Sequence, residues 1–325
     1  QMRKILITND IRRLAKEYAD NLFADKRKDF IKPKKGLRDF ADELRTHHNN
    51  DYADYVDAII NNYNEILCLE PNNFARYRAE HFSILSDEDL AKHVDGCPGS
   101  KKFYESIVDK MRYDIVQKEE IRPYMKKLDI KTCVYCNASY TIATDDNKAT
   151  FQVDHCYPKS KYPFLCTSFF NLQPSCMHCN QIKSNDDDYI YSMYADDQNK
   201  LDPFKFTIDS SSIIKYMLNH DSDCLKFKLK SNENDENTAT RHSNFFHLDG
   251  LYTQFTDAAE EVIWKGKIFD ETYRKQLMNM FQKKFSFGMN DFKRFYLGFY
   301  PDSKDTNKRP LTLLMQGIAK DMGLE

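Results

Sequence analysis

Two Cys-x-x-Cys pairs, Cys133-Val-Tyr-Cys136 and Cys176-Met-His-Cys179, constrain this 325-residue chain more than any other feature. Each pair is a chelating turn that can aim two sulfurs at one ion. Together they supply the four thiolates of a closed, tetrahedral structural Zn²⁺ site. The 39 residues between Cys136 and Cys176 exceed what a minimal zinc ribbon needs, so secondary structure has to fit inside the loop. The plainer alternative is two unrelated pairs, buried or redox-active.

Inside the loop, Ser139–Thr144 and Ala149–Val153 are β-branched and aromatic, with the turn-forming Asp145-Asp-Asn-Lys148 between them. This pattern predicts a β-hairpin whose second strand ends at Asp154-His155. A connection with Pro158 and Pro163 follows. Ser175 is then placed to cap a short helix carrying Cys179, Asn180 and Lys183. The expected order is strand, strand, helix, with zinc bracing the hairpin to the helix.

That order, with Asp154-His155 at a strand end, Asn171-Leu172 ahead of the helix and Asn180 nine residues on, resembles the HNH endonucleases, a ββα-metal family. Most members carry His at the last position. Asn180 gives an HNN version, similar to the HNH domain of the RNA-guided CRISPR nuclease, and Lys183 matches a lysine there as well. The resemblance covers about residues 130 to 190. It implies a nuclease core with His155 as general base, Asp154 and Asn180 on a catalytic Mg²⁺ or Mn²⁺, and Asn171 as a structural residue of the site.

The residue chemistry points the same way. Phosphodiester hydrolysis needs a deprotonated water, a cation on the phosphate and a stabilised leaving oxygen. Imidazole titrates near neutral pH, which suits His155 to general-base work. Asp154 and Asn180 offer hard oxygen donors, which favour Mg²⁺ or Mn²⁺ over zinc. Neighbouring strand residues point to opposite sides. Asp154 and His155 can therefore share a centre only if the strand breaks there, and Cys156-Tyr-Pro158 is the expected break. Asn171 is expected to hold the loop to the helix by hydrogen bonds. Lys183 either contacts substrate phosphate or is solvated. His178 is expected to be solvated or phosphate-facing. Cys156, Cys166, Cys68, Cys97 and Cys224 are read as packing thiols.

Three regions are expected. Residues 1–128 form a helical domain, 129–195 the zinc-braced ββα core, and 196–325 an α+β region that is mainly helical after 243. The fold class is α+β, mostly α-helical. In the first region, Asp10 is expected to cap a helix, Pro71 to open another, and Ser86-Asp-Glu-Asp89 to start a capped one. One amphipathic helix is expected over 100–128, kinked or restarted at Pro123, its basic side either lining a substrate groove or forming an ordinary charged surface. After the core, 202–208, 212–217 and 225–229 alternate as three strands of a small antiparallel sheet. The polar run 231–237 is expected to be a mobile loop. Phe281, Phe285, Phe292, Phe295, Tyr296, Phe299 and Tyr300 are expected to form a core or a partner surface.

Composition sets bounds rather than identity. Hydrophobic residues are 41% of the chain, enough for two or three small domains. A net charge of −2 means that any nucleic-acid contact must rest on local cationic patches. No apolar run is long enough to span a membrane, and nine cysteines without an export-like segment point to a reducing cytoplasm. The tail, with Asp202-Pro-Phe followed by strands and a Leu-x-x-Leu-Tyr helix, resembles small bacterial HNH proteins of anti-phage systems, Septu-type and retron-associated. These work beside an ATPase partner. The expected substrate is nucleic acid, double-stranded DNA foremost, cleaved to a 5′-phosphate and a 3′-hydroxyl. Two alternatives remain open: a zinc-stabilised adaptor or scaffold without catalysis, and an RNA-cleaving enzyme.

Overall fold

The computed structural model describes residues 3–144, 148–184, 189–232, 236–284 and 288–324. Among the described residues the protein is mostly helical with three two-stranded sheets. It divides into two compact units. One comprises residues 5–128 and 143–198, the other 1–4, 129–142 and 199–325.

In the first unit, β1 (Ile5–Leu6) pairs in parallel with β4 (Tyr194–Ala195). The α-helices that follow β1 are α1 (Asn9–Asn21), α2 (Pro33–Thr46), α3 (Asn50–Cys68), α4 (Phe74–His81), α5 (Asp87–Leu90), α6 (Phe103–Lys110), α7 (Tyr113–Ile115) and α8 (Arg122–Lys127). The cap of α1 is Thr8, which accepts from the Ile11 amide at 3.4 Å; Asp10 instead pairs with Arg13 at 2.7 Å. Pro71 opens a 3-10 turn ahead of α4, and Ser86 and Asp89 form a capping box on α5.

The single helix expected over 100–128 is broken. Arg112 sits in the left-handed region at φ 60°, residues Val116–Glu120 form a π-helix, and α8 restarts with Pro123 in its first turn. An apolar period persists through such breaks because Met111 and Val116 still reach the core.

The strands around the site also differ from expectation. β2 (Gln152–His155) pairs antiparallel with β3 (Leu172–Ser175), in the register Asp154↔Gln173 and His155↔Leu172. Among the described residues, the expected hairpin reduces to one bridge, Ala143↔Ala149; residues 145–147 lie outside them. Residues 131–141 fold on themselves instead, with Cys133 N bonded to Ser139 O and Thr141 N to Lys131 O. β3 is buried on both faces, so it shows no alternation, and it contains Pro174, which hides it from a strand pattern. Helix α9 (Met177–Ser184) follows directly, completing a ββα order. The Asn180 amide bonds to the Cys176 carbonyl, which puts Cys176 at the cap position. Ser175 Oγ is buried without a partner among the described residues, so Ser175 is not the cap.

The connection between β2 and β3 is an interior segment, with residues 163–171 all buried. Phe164 stacks on Phe82 at 4.1 Å, Phe169 lies 5.7 Å from Tyr18, and the Tyr18 hydroxyl donates to the Thr167 carbonyl at 2.8 Å. Each such ring removed from water stabilises the fold by about 1.5–3 kcal/mol. Helical layer and ββα element therefore share one core.

In the second unit, β5 (Phe204–Ile208) pairs antiparallel with β6 (Phe227–Ser231). The third expected strand is a helix, α10 (Ser210–Asn219), because the Asp209 side chain caps it by accepting from the Ser212 amide. The helices α11 (Glu236–Phe245), α12 (Leu248–Tyr252), α13 (Thr256–Ile268), α14 (Glu271–Lys284), α15 (Met289–Leu297) and α16 (Thr312–Asp321) complete it. Residues 233–235, within the run read as a mobile loop, and Phe285 lie outside the described residues. Gly317 lets α16 lie on β5, since a Cβ there would meet the Phe206 carbonyl oxygen at 2.2 Å. No described helix is long and apolar enough to cross a membrane.

Candidate metal centre and adjoining cleft

The sulfurs of Cys133, Cys136, Cys176 and Cys179 lie within 4.8 Å of one another, and all four residues are buried. Sulfurs bound tetrahedrally at a Zn–S distance of about 2.3 Å stand about 3.8 Å apart, so the cluster fits a structural zinc ion. The other five cysteines stand outside it. Burial pushes the Cys166 thiol far up, which keeps it protonated.

Local chemistry shapes the first pair. The Ala138 amide donates to Cys136 Sγ at 3.4 Å. The chain then turns through Asn137 at φ 55°, a left-handed conformation that Asn tolerates better than most residues. Asn137 is fully buried. Its Nδ2 donates to Thr132 Oγ1 at 3.0 Å and to the Thr306 carbonyl at 3.1 Å, and its Oδ1 accepts from the Leu313 amide at 3.1 Å. The Tyr135 ring stacks on Phe246 at 4.5 Å, His242 Nε2 donates to the Tyr135 carbonyl at 2.8 Å, and the Tyr252 hydroxyl donates to the Cys136 carbonyl at 2.5 Å. Burial holds the His242 imidazole down at about 3, partly offset by the bond to Tyr135. Sequence reasoning missed Asn137 and His242, because neither belongs to a spaced motif.

A cleft of about 500 Å³ lies in the first unit, lined by Asp154, His155, Asn180 and Lys183. β2 ends at His155, and both Asp154 and His155 reach this cleft. His155 Nε2 lies 3.0 Å from the Cys166 carbonyl. A carbonyl only accepts, so Nε2 carries the proton and Nδ1 keeps its lone pair. Burial lowers the His155 pKa to about 3, against the Cys166 bond, with Lys159 and Lys183 lowering it further. The ring is therefore neutral at pH 7.

Asn171 is fully buried. Its Oδ1 accepts from the Tyr157 amide at 2.8 Å, and its Nδ2 donates to the carbonyls of Tyr157 and Leu165, each at 3.1 Å. It thus ties the β2–β3 connection to itself. Asn180 Nδ2 donates to Gln152 Oε1 at 2.6 Å, which leaves Oδ1 as its acceptor. Lys183 is 6% exposed, which excludes a solvated lysine. Its ammonium lies 3.3 Å from Asp154 Oδ2 and donates to the His155 carbonyl. His178 is exposed.

The opposite wall decides against a basic groove side and for an ordinary charged surface. From 100–128 the cleft receives Tyr104, Val108, Asp109, Tyr113, Asp114 and Gln117. No lysine of 100–128 lines the cleft; Lys101 pairs with Asp109, and Lys127 with Glu17 at 2.6 Å. The Tyr113 hydroxyl donates to the Val153 carbonyl at 2.9 Å, and its ring lies 4.5 Å from the His155 ring. Lys159, on the β2–β3 connection, lines the cleft and stands over the Tyr113 ring at 5.6 Å. Tyr113 and Lys159 carried no sequence signal, because tertiary packing alone brings them to His155.

No family model matches the chain, and no solved structure matches it. Among curated proteins the chain is similar to the Septu protein PtuB of Bacillus thuringiensis, 34% identical over 70 residues. The matched stretch is 20% of this chain and 26% of that protein, so it spans about a quarter of the relative's length.

Proposed function

We propose that the chain is a metal-dependent endonuclease of HNH type that hydrolyses nucleic acid, double-stranded DNA foremost, in a bacterial anti-phage system with an ATPase partner. The observation that supports it best is the cleft that gathers Asp154, His155, Asn180 and Lys183. Similarity to the Septu protein PtuB supports the defence setting.

His155 Nδ1 takes the proton of the attacking water, while the Cys166 carbonyl fixes the ring through Nε2. Burial accounts for most of the lowering of the His155 pKa, and a phosphate entering the cleft offsets only the smaller contribution of Lys159 and Lys183, so His155 accepts the proton from a water already acidified by the metal ion. A new P–O bond forms from the water, and the bond to the 3′-oxygen breaks; that oxygen leaves with the electron pair and takes a proton from solvent, giving a 3′-hydroxyl and a 5′-phosphate. Asp154 and the Asn180 carbonyl oxygen are the residues that would hold Mg²⁺ or Mn²⁺, hard donors suited to such an ion. When bound, the ion supplies positive charge on the phosphate oxygens and acidifies the water.

The test is plasmid cleavage with Mg²⁺ or Mn²⁺. His155→Ala is expected to lose about 10²–10⁴-fold in rate. Equal nicking by wild type and variant removes His155 from the chemistry, and RNA competing better than DNA changes the substrate. One observation favours a second reading, a zinc-stabilised adaptor without catalysis: the Lys183 ammonium already neutralises the Asp154 carboxylate. No cleavage by wild type, with the ATPase partner supplied, supports that reading.

A further inference from the structure

α15 has a buried side and an exposed side. Phe292, Tyr296 and Leu297 are buried, whereas Phe295 is 66% exposed and packs its ring 5.0 Å from Phe281 of α14. Phe281, Arg294, Phe295 and Arg309 line a groove of about 360 Å³ between the helices. Exposed apolar side chains gathered round a concavity mark a contact surface more often than chance exposure does. Aromatic residues, Met and Arg are the types enriched there.

Charge narrows the occupant. Arg294, Lys308 and Arg309 converge on the Tyr300 ring, at 4.1, 5.5 and 5.4 Å from its centre. Among the described residues, Lys308 has a carboxylate partner, Asp305 at 2.8 Å, while the two guanidinium groups have none. Asp291, the acid in the groove, accepts from the Gly288 amide at the start of α15. The two guanidinium groups beside one ring repel each other, and an incoming carboxylate relieves that repulsion. The cations gather at a point rather than in a line, which suits acidic side chains better than a phosphate backbone. Phe281 and Phe295 provide apolar contact beside them.

We infer that the groove between α14 and α15 is a docking site for an acidic, apolar segment of a partner protein. Arg294 and Arg309 take its carboxylates, and Phe281 and Phe295 receive an aliphatic or aromatic anchor. The inference is independent of whether the chain cleaves nucleic acid.

The experiment selects a displayed library of random dodecapeptides on the immobilised full chain. Enriched peptides are then measured by fluorescence anisotropy. They are expected to combine Asp or Glu with Leu, Phe or Trp, and to bind at least about tenfold more weakly to Arg294→Glu and to Phe295→Ser. Both side chains are surface groups, and an unchanged melting temperature confirms that the variants fold. Enrichment without acidic bias, or equal binding by wild type and both variants, overturns the proposal. So does a short single-stranded oligonucleotide that displaces the peptides, since the groove would then be a nucleic-acid contact. A dimer of the wild type that Phe295→Ser dissociates assigns the groove to a second copy and likewise overturns it.

Discussion

At the scale of single residues, the candidate cleft depends on a lysine that spacing alone leaves ambiguous. Lys183 is buried against Asp154 and the His155 carbonyl. Replacing it with the similarly shaped Met removes the Lys183 ammonium from beside a carboxylate that is only 12% exposed. Lys183→Met is expected to destabilise the protein by about 3 kcal/mol, read from urea unfolding at neutral pH. His242 gives a pH signature. Its folded pKa, near 3, lies below the unfolded value of about 6.5, so the unfolded state binds the proton first. The stability it contributes is complete above pH 6.5 and is lost as pH falls toward 3. Wild type is expected to lose up to about 1.4 kcal/mol per pH unit more than His242→Gln across that window. Parallel slopes in unfolding measured from pH 7 to pH 4.5 would contradict this. Asp154, His155, Asn171 and Asn180 were legible because their identities and spacing are local facts. Lys159, Tyr113, Asn137 and His242 were not, since each owes its position to a partner distant in sequence.

At the scale of elements, the turn after Cys136 is held by one amide side chain. Asn137→Gly keeps the left-handed backbone but removes bonds to Thr132, Thr306 and Leu313. A loss of about 2 kcal/mol is expected, and Asn137→Ala should lose about 1 kcal/mol more from backbone strain. Thermal unfolding of the two variants checks both the sum and the order. The strand partner of β2 was misassigned for a physical reason. Sequence patterns detect alternation, and β3 is buried on both faces and contains Pro174. The reverse error occurred at 212–217, where an apolar rhythm read as a strand was overruled by the Asp209 cap.

At the scale of the whole molecule, four sulfurs from positions far apart in the chain come within 4.8 Å of one another. Metal binding to such a set is coupled to folding. Metal analysis is expected to find one zinc per chain, and Cys133→Ser to lose both the zinc and the cooperative unfolding transition. Full stability after zinc is stripped by a chelator would reject a structural ion. The sequence by itself determined the four thiols, the strand-end Asp154-His155 and the helical spacing of Cys179, Asn180 and Lys183, because chelating turns and periodicities are set by near neighbours. Only the tertiary structure decided that 172–175 pairs with 152–155, that residues 163–171 are core, and which side of the broken 100–128 segment faces His155. Those outcomes depend on which distant surfaces exclude water together, and no local pattern records that.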